Sequence, residues 1–262
     1  MKNNLKYFLL TTILMTLSSV VSFAQKAYYC LPCNSSCDTI AFTQPGKCPY
    51  CGMELLLMDK KEHDEKMKQV RVLFYLQDGV EALDFAGPME VFTDAGFKVS
   101  VVSKTKEPIL SQGVLKIIPE YSIADAPPAE IVAFFGGSTD KPSNDPDVIK
   151  WLNSLQSPHY YFSVCTGAFF LAKAGMLDGL TATTFHSAID KLQSTAPKAR
   201  VLANTRFVDN GKVITTAGIS AGIDGALHLV SKIRGQEYAL TVAKEIEYDK
   251  WVPEQGLIVN KP

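Results

Sequence analysis

The chain has no charge excess to offer a polyanion. Its 26 Lys and Arg stand against 27 Asp and Glu, a formal net charge of -1 over 262 residues. No Lys/Arg-rich face accompanies that balance, which excludes the electrostatic footprint of a nucleic-acid-binding domain. Past the first 24 residues, no stretch is long and apolar enough to span a bilayer. No GxGxxG or Walker A pattern occurs, so nothing in the sequence argues for NAD or ATP. Internal repeats are absent. Beyond Cys51 there is one cysteine, Cys165, with no internal disulfide partner in the body of the chain. The length suits one sizeable core plus an accessory unit.

The opening residues read as an export signal. Lys2 and Lys6 make a basic start, residues 7–21 are mostly apolar, and Ser22-Phe23-Ala24 offers a small-x-small cleavage pattern. Cleavage after Ala24 is expected, leaving a periplasmic or secreted protein with no membrane anchor. An uncleaved anchor is the alternative.

Five of the six cysteines fall within residues 28–58. Cys30-x2-Cys33 and Cys48-x2-Cys51 have the knuckle spacing of a tetrahedral four-thiolate site, each pair gripping one side of a soft ion. Metal binding would supply folding energy that so short a segment lacks. Two disulfides are the alternative, since oxidation is permitted after export. Cys37 is the awkward fifth residue, either a substitute ligand or an exchangeable thiol. Thiolates favour Zn²⁺ or Cu⁺, and Met53 adds a soft thioether or merely packs. Residues 59–69 are charge-dense without an apolar face and read as a linker or solvated helix.

From residue 70 onward, apolar strand-like runs alternate with helical segments, the order of a mostly parallel sheet covered by helices. Strands are expected at Val70–Leu76, Phe97–Val102, Ile131–Phe135, Tyr160–Val164 and Val213–Thr215, with short ones near Val114–Ile117 and Val201–Phe207. Helices are expected at Ala82–Ala95, Asp147–Leu155, Gly167–Ala174, Ser187–Leu192 and Ile219–Ile233. Residues 236–262 read as a tail packed on the domain.

Cys165 stands where the Tyr160–Val164 strand should turn into a helix. That junction presents a side chain at the carboxyl edge of a sheet, and a helix start favours the thiolate. A buried apolar role is the alternative. Gly137, in Gly136-Gly137 after another apolar strand, could add an amide donor for an oxyanion. Asp84 follows the first strand and could shuttle a proton or cap its helix; Glu90 ranks below it. His186 could support the site or be structural. His228 fits a solvated i,i+4 pair with Asp224, and His63 belongs to the charged stretch.

The segments Leu83-Asp84-Phe85-Ala86-Gly87-Pro88, Val164-Cys165-Thr166-Gly167-Ala168, Leu177-Asp178-Gly179 and Ala221-Gly222-Ile223-Asp224-Gly225 resemble the DJ-1/PfpI superfamily, within it the branch that includes isonitrile hydratase. The resemblance implies a flavodoxin-like α/β sandwich over residues 70–235 and a homodimer. It also implies that Cys165 is the nucleophile, Asp84 the proton-transfer acid and Thr166 the neighbour shaping the anion site. The implied reaction needs no catalytic cofactor and acts on a small molecule. PfpI-type peptidases have histidine directly after the cysteine; Thr166 there argues against peptidase activity. The branch commonly runs Thr-Thr-His, whereas Phe185 here separates Thr184 from His186. Pro45-Gly46-Lys47-Cys48-Pro49-Tyr50-Cys51-Gly52-Met53 resembles the heavy-metal-binding domain attached to bacterial copper and heavy-metal efflux proteins, with Cys33 where histidine is common.

Overall fold

The computed structural model describes residues 26–32, 36–156 and 158–259. The expected signal segment and Cys33 lie outside the described residues. The N-terminal module is a small antiparallel sheet with β1 (Lys26–Tyr29) between β2 (Ala41–Phe42) and β3 (Leu56–Asp59), followed by α1 (Lys60–Lys66). Asp59 caps α1 by accepting from the Glu62 amide.

The α/β body follows as β4 (Arg71–Tyr75), α2 (Ala82–Asp94), β5 (Lys98–Ser103), the hairpin β6 (Ile109–Ser111) and β7 (Leu115–Ile117), β8 (Tyr121–Ser122), β9 (Ile131–Phe134), α3 (Pro146–Ser154) and β10 (Tyr160–Val164). It continues with α4 (Ala168–Lys173), β11 (Thr181–Ala182), α5 (Ile189–Thr195), β12 (Arg200–Val201), β13 (Phe207–Asp209), β14 (Val213–Thr216), α6 (Ala221–Arg234), α7 (Gln236–Glu245) and β15 (Leu257–Ile258). The main sheet runs β15-β13-β14-β10-β9-β4-β5-β8. Its pairings are parallel except β13 with β14. Central strands β9 and β10 are apolar along nearly their whole length because helices cover both faces. One face packs Phe74, Phe92, Phe135 and Phe162 against α2 and α6; the other packs Tyr75, Phe134, Trp151 and Phe170 against α3 and α4.

Three expectations change. Residues 60–66 take the helical of the two forms expected, but the helix is not wholly solvated: α1 packs on the module through His63, which is 2% exposed and stacked on Tyr29 at 4.2 Å. The chain after 235 is more than a tail, since α7 lies on α6 and β15 pairs with β13. The expected strand at 201–207 divides into β12 and β13, separated by a loop. Module and body also share one apolar cluster, with Tyr29, Leu31 and Met58 beside Phe97, Tyr238 and Val242. Among the described residues, no helix is long and apolar enough to cross a membrane.

Candidate functional site

The interior strand β10 ends at the carboxyl edge of the sheet, and the next residue, Cys165, turns with φ +59. A side chain in that region costs about 1–3 kcal/mol and persists where its surroundings over-determine it. They do so here. The Cys165 amide donates to the Ala217 carbonyl at 3.0 Å. The Thr184 hydroxyl donates to the Cys165 carbonyl at 2.7 Å.

Asp84, in the first turn of α2, has no solvent exposure. Its Oδ2 accepts from the Gly136 amide at 2.9 Å and its Oδ1 from the Ile219 amide at 2.9 Å. Neither donor belongs to its own helix, so the helix-cap role falls away. Ile219 is itself held at φ +56, unusual for a β-branched residue. Gly136 must be glycine: a Cβ there would lie 2.6 Å from Asp84 Oδ2 and 2.8 Å from Cys165 Sγ. Backbone thus approaches closely enough to wedge carboxylate and sulfur together.

Burial pushes the Asp84 carboxyl up to about 6, against the opposing pull of the Ile219 and Gly136 amides and the Cys165 thiol. Burial, and then the Asp84 charge, push the Cys165 thiol up to about 12, while the Thr166 amide acts the other way. This corrects the thiolate expectation. Desolvation and a neighbouring negative charge favour the thiol form of Cys165, against the pull of the helix start.

Thr166 and Gly137 line a cleft of about 710 Å³ together with Ser138, Asp140, Ser187 and Lys191. The Thr166 hydroxyl is buried with no hydrogen-bond partner. His186 is exposed, its ring against Phe185 at 4.3 Å, and it is Phe185 that packs toward the sulfur. Glu90 is exposed. His228 is also corrected: it is buried on Phe207 and pairs with Asp209 at 2.8 Å, whereas Asp224 binds Arg206. Sequence reasoning read Gly136-Gly137 as an amide donor for an oxyanion, whereas the Gly136 amide donates to Asp84; it missed Ile219 and Thr184, which also hold the pair in place.

In the module, the sulfurs of Cys30, Cys37, Cys48 and Cys51 lie within 4.8 Å of one another. Thiolates about 2.3 Å from a tetrahedral ion would sit a little under 4 Å apart, so this set fits one soft cation. The Cys30 and Cys51 sulfurs are 3.1 Å apart, well outside the roughly 2.05 Å of a disulfide bond. Burial opposes ionisation of Cys48, but the Tyr50 and Cys51 amides and the Cys51 and Cys37 thiols outweigh it and draw the thiol down to about 7. Cys37 enters from a short 3-10 turn, Ser36–Thr39. The Tyr238 hydroxyl of α7 donates to the Pro32 carbonyl at 2.5 Å, with the carbonyl of Ala95, just past α2, at 3.2 Å as the alternative acceptor.

The DJ-1/PfpI family matches residues 70–232. The chain is 31% identical over 185 residues to the isonitrile hydratase of Pseudomonas putida, covering 68% of this chain and 78% of that protein. It is 29% identical to the Parkinson disease protein 7 homolog of Danio rerio, over 66% of this chain and 94% of that one. A THiJ/PfpI family protein from Pseudomonas syringae superposes with a TM-score of 0.65 at 28% identity, covering 71% of this chain and 78% of the other. The chain belongs to the DJ-1/PfpI family.

Proposed function

We propose that this protein is an exported, cysteine-dependent hydratase that converts isonitriles to N-substituted formamides. The observation that carries the proposal is the buried thiol–carboxylate pair of Cys165 and Asp84 beside a cleft lined by Thr166 and Gly137. The similarity to isonitrile hydratase supports the choice of substrate. The Cys165 sulfur bonds to the terminal isonitrile carbon as its proton passes to Asp84. Asp84 returns that proton to the same carbon, giving a thioimidate, R–N=CH–S. Water adds across the C=N bond, its oxygen to carbon and a proton to nitrogen. The C–S bond then breaks, the hydroxyl proton returns through Asp84 to sulfur, and R–NH–CHO leaves. The net change is addition of one water, with a proton carrier suited to neutral pH.

The four-cysteine cluster is assigned one soft ion, zinc or copper(I), outside the reaction. A homodimer belongs to the same proposal, supported by the exposed Leu110, Val114, Leu115 and Ile118 at the β6–β7 hairpin beside the Asp78–Glu81 loop. Sedimentation at micromolar concentration should give twice the monomer mass; a persistent monomer contradicts this part.

The purified protein should convert a simple alkyl isonitrile to its formamide, and Cys165→Ala should abolish conversion. No turnover across a panel of small isonitriles would overturn the hydratase assignment. A glyoxalase-type activity, or a non-enzymatic metal or redox-stress sensor, would then lead.

A further inference from the structure

We infer that Phe185 is a specificity-determining residue, restricting Cys165 to electrophiles whose reacting carbon is terminal and whose substituent is unbranched at the first atom beyond the isonitrile nitrogen. The chemical class rests on the hydratase reading, whereas the shape restriction rests on packing alone.

Thr184 is 1% exposed, and its hydroxyl ties this segment to the Cys165 carbonyl at 2.7 Å. Phe185 follows with extended backbone, φ -53 and ψ 136, and sends its ring across Gly218. A Cβ at Gly218 would lie 2.5 Å from Phe185 Cδ2 and 3.2 Å from Cys165 Sγ. Ring edge and sulfur therefore border the same small volume, and only a glycine fits between them. The ring also packs against the apolar clusters on both faces of the sheet, so it is a wall and not a loose flap.

Cys165 is 5% exposed, and its chain neighbour Thr166 lines the cleft together with Gly137, Ser187 and Ala188. An electrophile entering from that cleft must push its reacting atom toward the sulfur while its bulk meets the aromatic wall. A carbonyl carbon arrives with two substituents and its oxygen. An isonitrile carbon is the bare end of a rod, and its first branch point comes beyond nitrogen. The wall therefore tolerates the rod and discriminates at the next atom.

The test compares n-butyl with tert-butyl isonitrile, and iodoacetamide with N-phenylmaleimide as peptide-resolved labels of Cys165. The proteins are wild type, Phe185→Leu and Phe185→Ala. Removing the ring should lower the n-butyl to tert-butyl ratio of kcat/KM by about tenfold or more, the scale on which an apolar wall discriminates. Maleimide labelling should rise by a similar factor while iodoacetamide labelling changes by less than about threefold. Phe185→Leu should fall between wild type and Phe185→Ala, and it keeps the test valid if the alanine variant folds poorly. Unchanged ratios in both variants would overturn the inference. If wild type turns over neither isonitrile, the hydratase reading fails, and the two labelling rates still decide whether Phe185 shapes access.

Discussion

Cys165 and Asp84 act as one unit because neither can ionise freely in the space they share. The thiol form of Cys165 is favoured, and a carboxylate lifted to about 6 is suited to borrow and return its proton. Under the proposed hydration reaction, kcat/KM should rise with pH through a limb near 6 as Asp84 loses its proton. Asp84→Asn should remove that limb and lower turnover by at least about 100-fold, the usual scale for a positioned acid–base group. The same change removes a negative charge beside Cys165, so iodoacetamide labelling at mildly alkaline pH should become faster. Loss of turnover with faster labelling, in a variant that still unfolds cooperatively, separates this account from simple misfolding, which would itself expose the buried Cys165. Because burial raises the Asp84 pKa, the folded state holds its proton more tightly than the unfolded chain. Its contribution to stability should therefore fall as pH rises from about 4 to 6. Thermal unfolding of wild type against Asp84→Asn across that window measures the slope. The placement of Cys165 and Asp84 at the carboxyl edge of the sheet was readable because each follows an apolar strand. Their supports were not: Gly136 and Ile219 are 52 and 135 residues from Asp84. Nor does local sequence mark Ile219 for a left-handed conformation.

At the scale of elements, α2 links the two centres of interest. Asp84 lies in its first turn, while the Ala95 carbonyl just past its last residue is the alternative acceptor to Pro32 of the cysteine module for the Tyr238 hydroxyl. Tyr238→Phe should cost about 1–3 kcal/mol in urea unfolding, the usual penalty for losing a buried hydrogen-bonding partner. It should leave metal stoichiometry unchanged. Charge concealed the role of α1, since one inward residue, His63, does its packing amid Lys, Asp and Glu. Spacing alone favoured two Cys-x2-Cys knuckles, whereas the 3-10 turn at Ser36–Thr39 brings Cys37 into the described cluster. Such a short turn has no periodic signature. Cys37→Ser should remove most of one bound equivalent of zinc or copper from protein purified without chelator. Full retention of the metal would contradict the Cys37 assignment.

Taken whole, the molecule joins the module to the α/β body through shared apolar packing, with Tyr29, Leu31 and Met58 in the same cluster as Phe97 and Tyr238. The α/β architecture was readable from alternating apolar runs and helices. The β13 reversal and the β15 edge were not, because strands of two or three residues leave too little pattern. Metal bound to the module should stabilise more than the module. Chelation is expected to lower the melting temperature by several degrees and increase amide exchange along residues 236–245. Exchange confined to residues 26–59 would show that the two parts are energetically separate. Covalent catalysis at Cys165 can be tested most directly by mass spectrometry of protein quenched during reaction with a simple alkyl isonitrile. The Cys165 peptide should carry an adduct of the whole isonitrile mass that decays to free thiol as formamide accumulates. Undiminished formamide production by Cys165→Ala, with no adduct on wild-type Cys165, would contradict it.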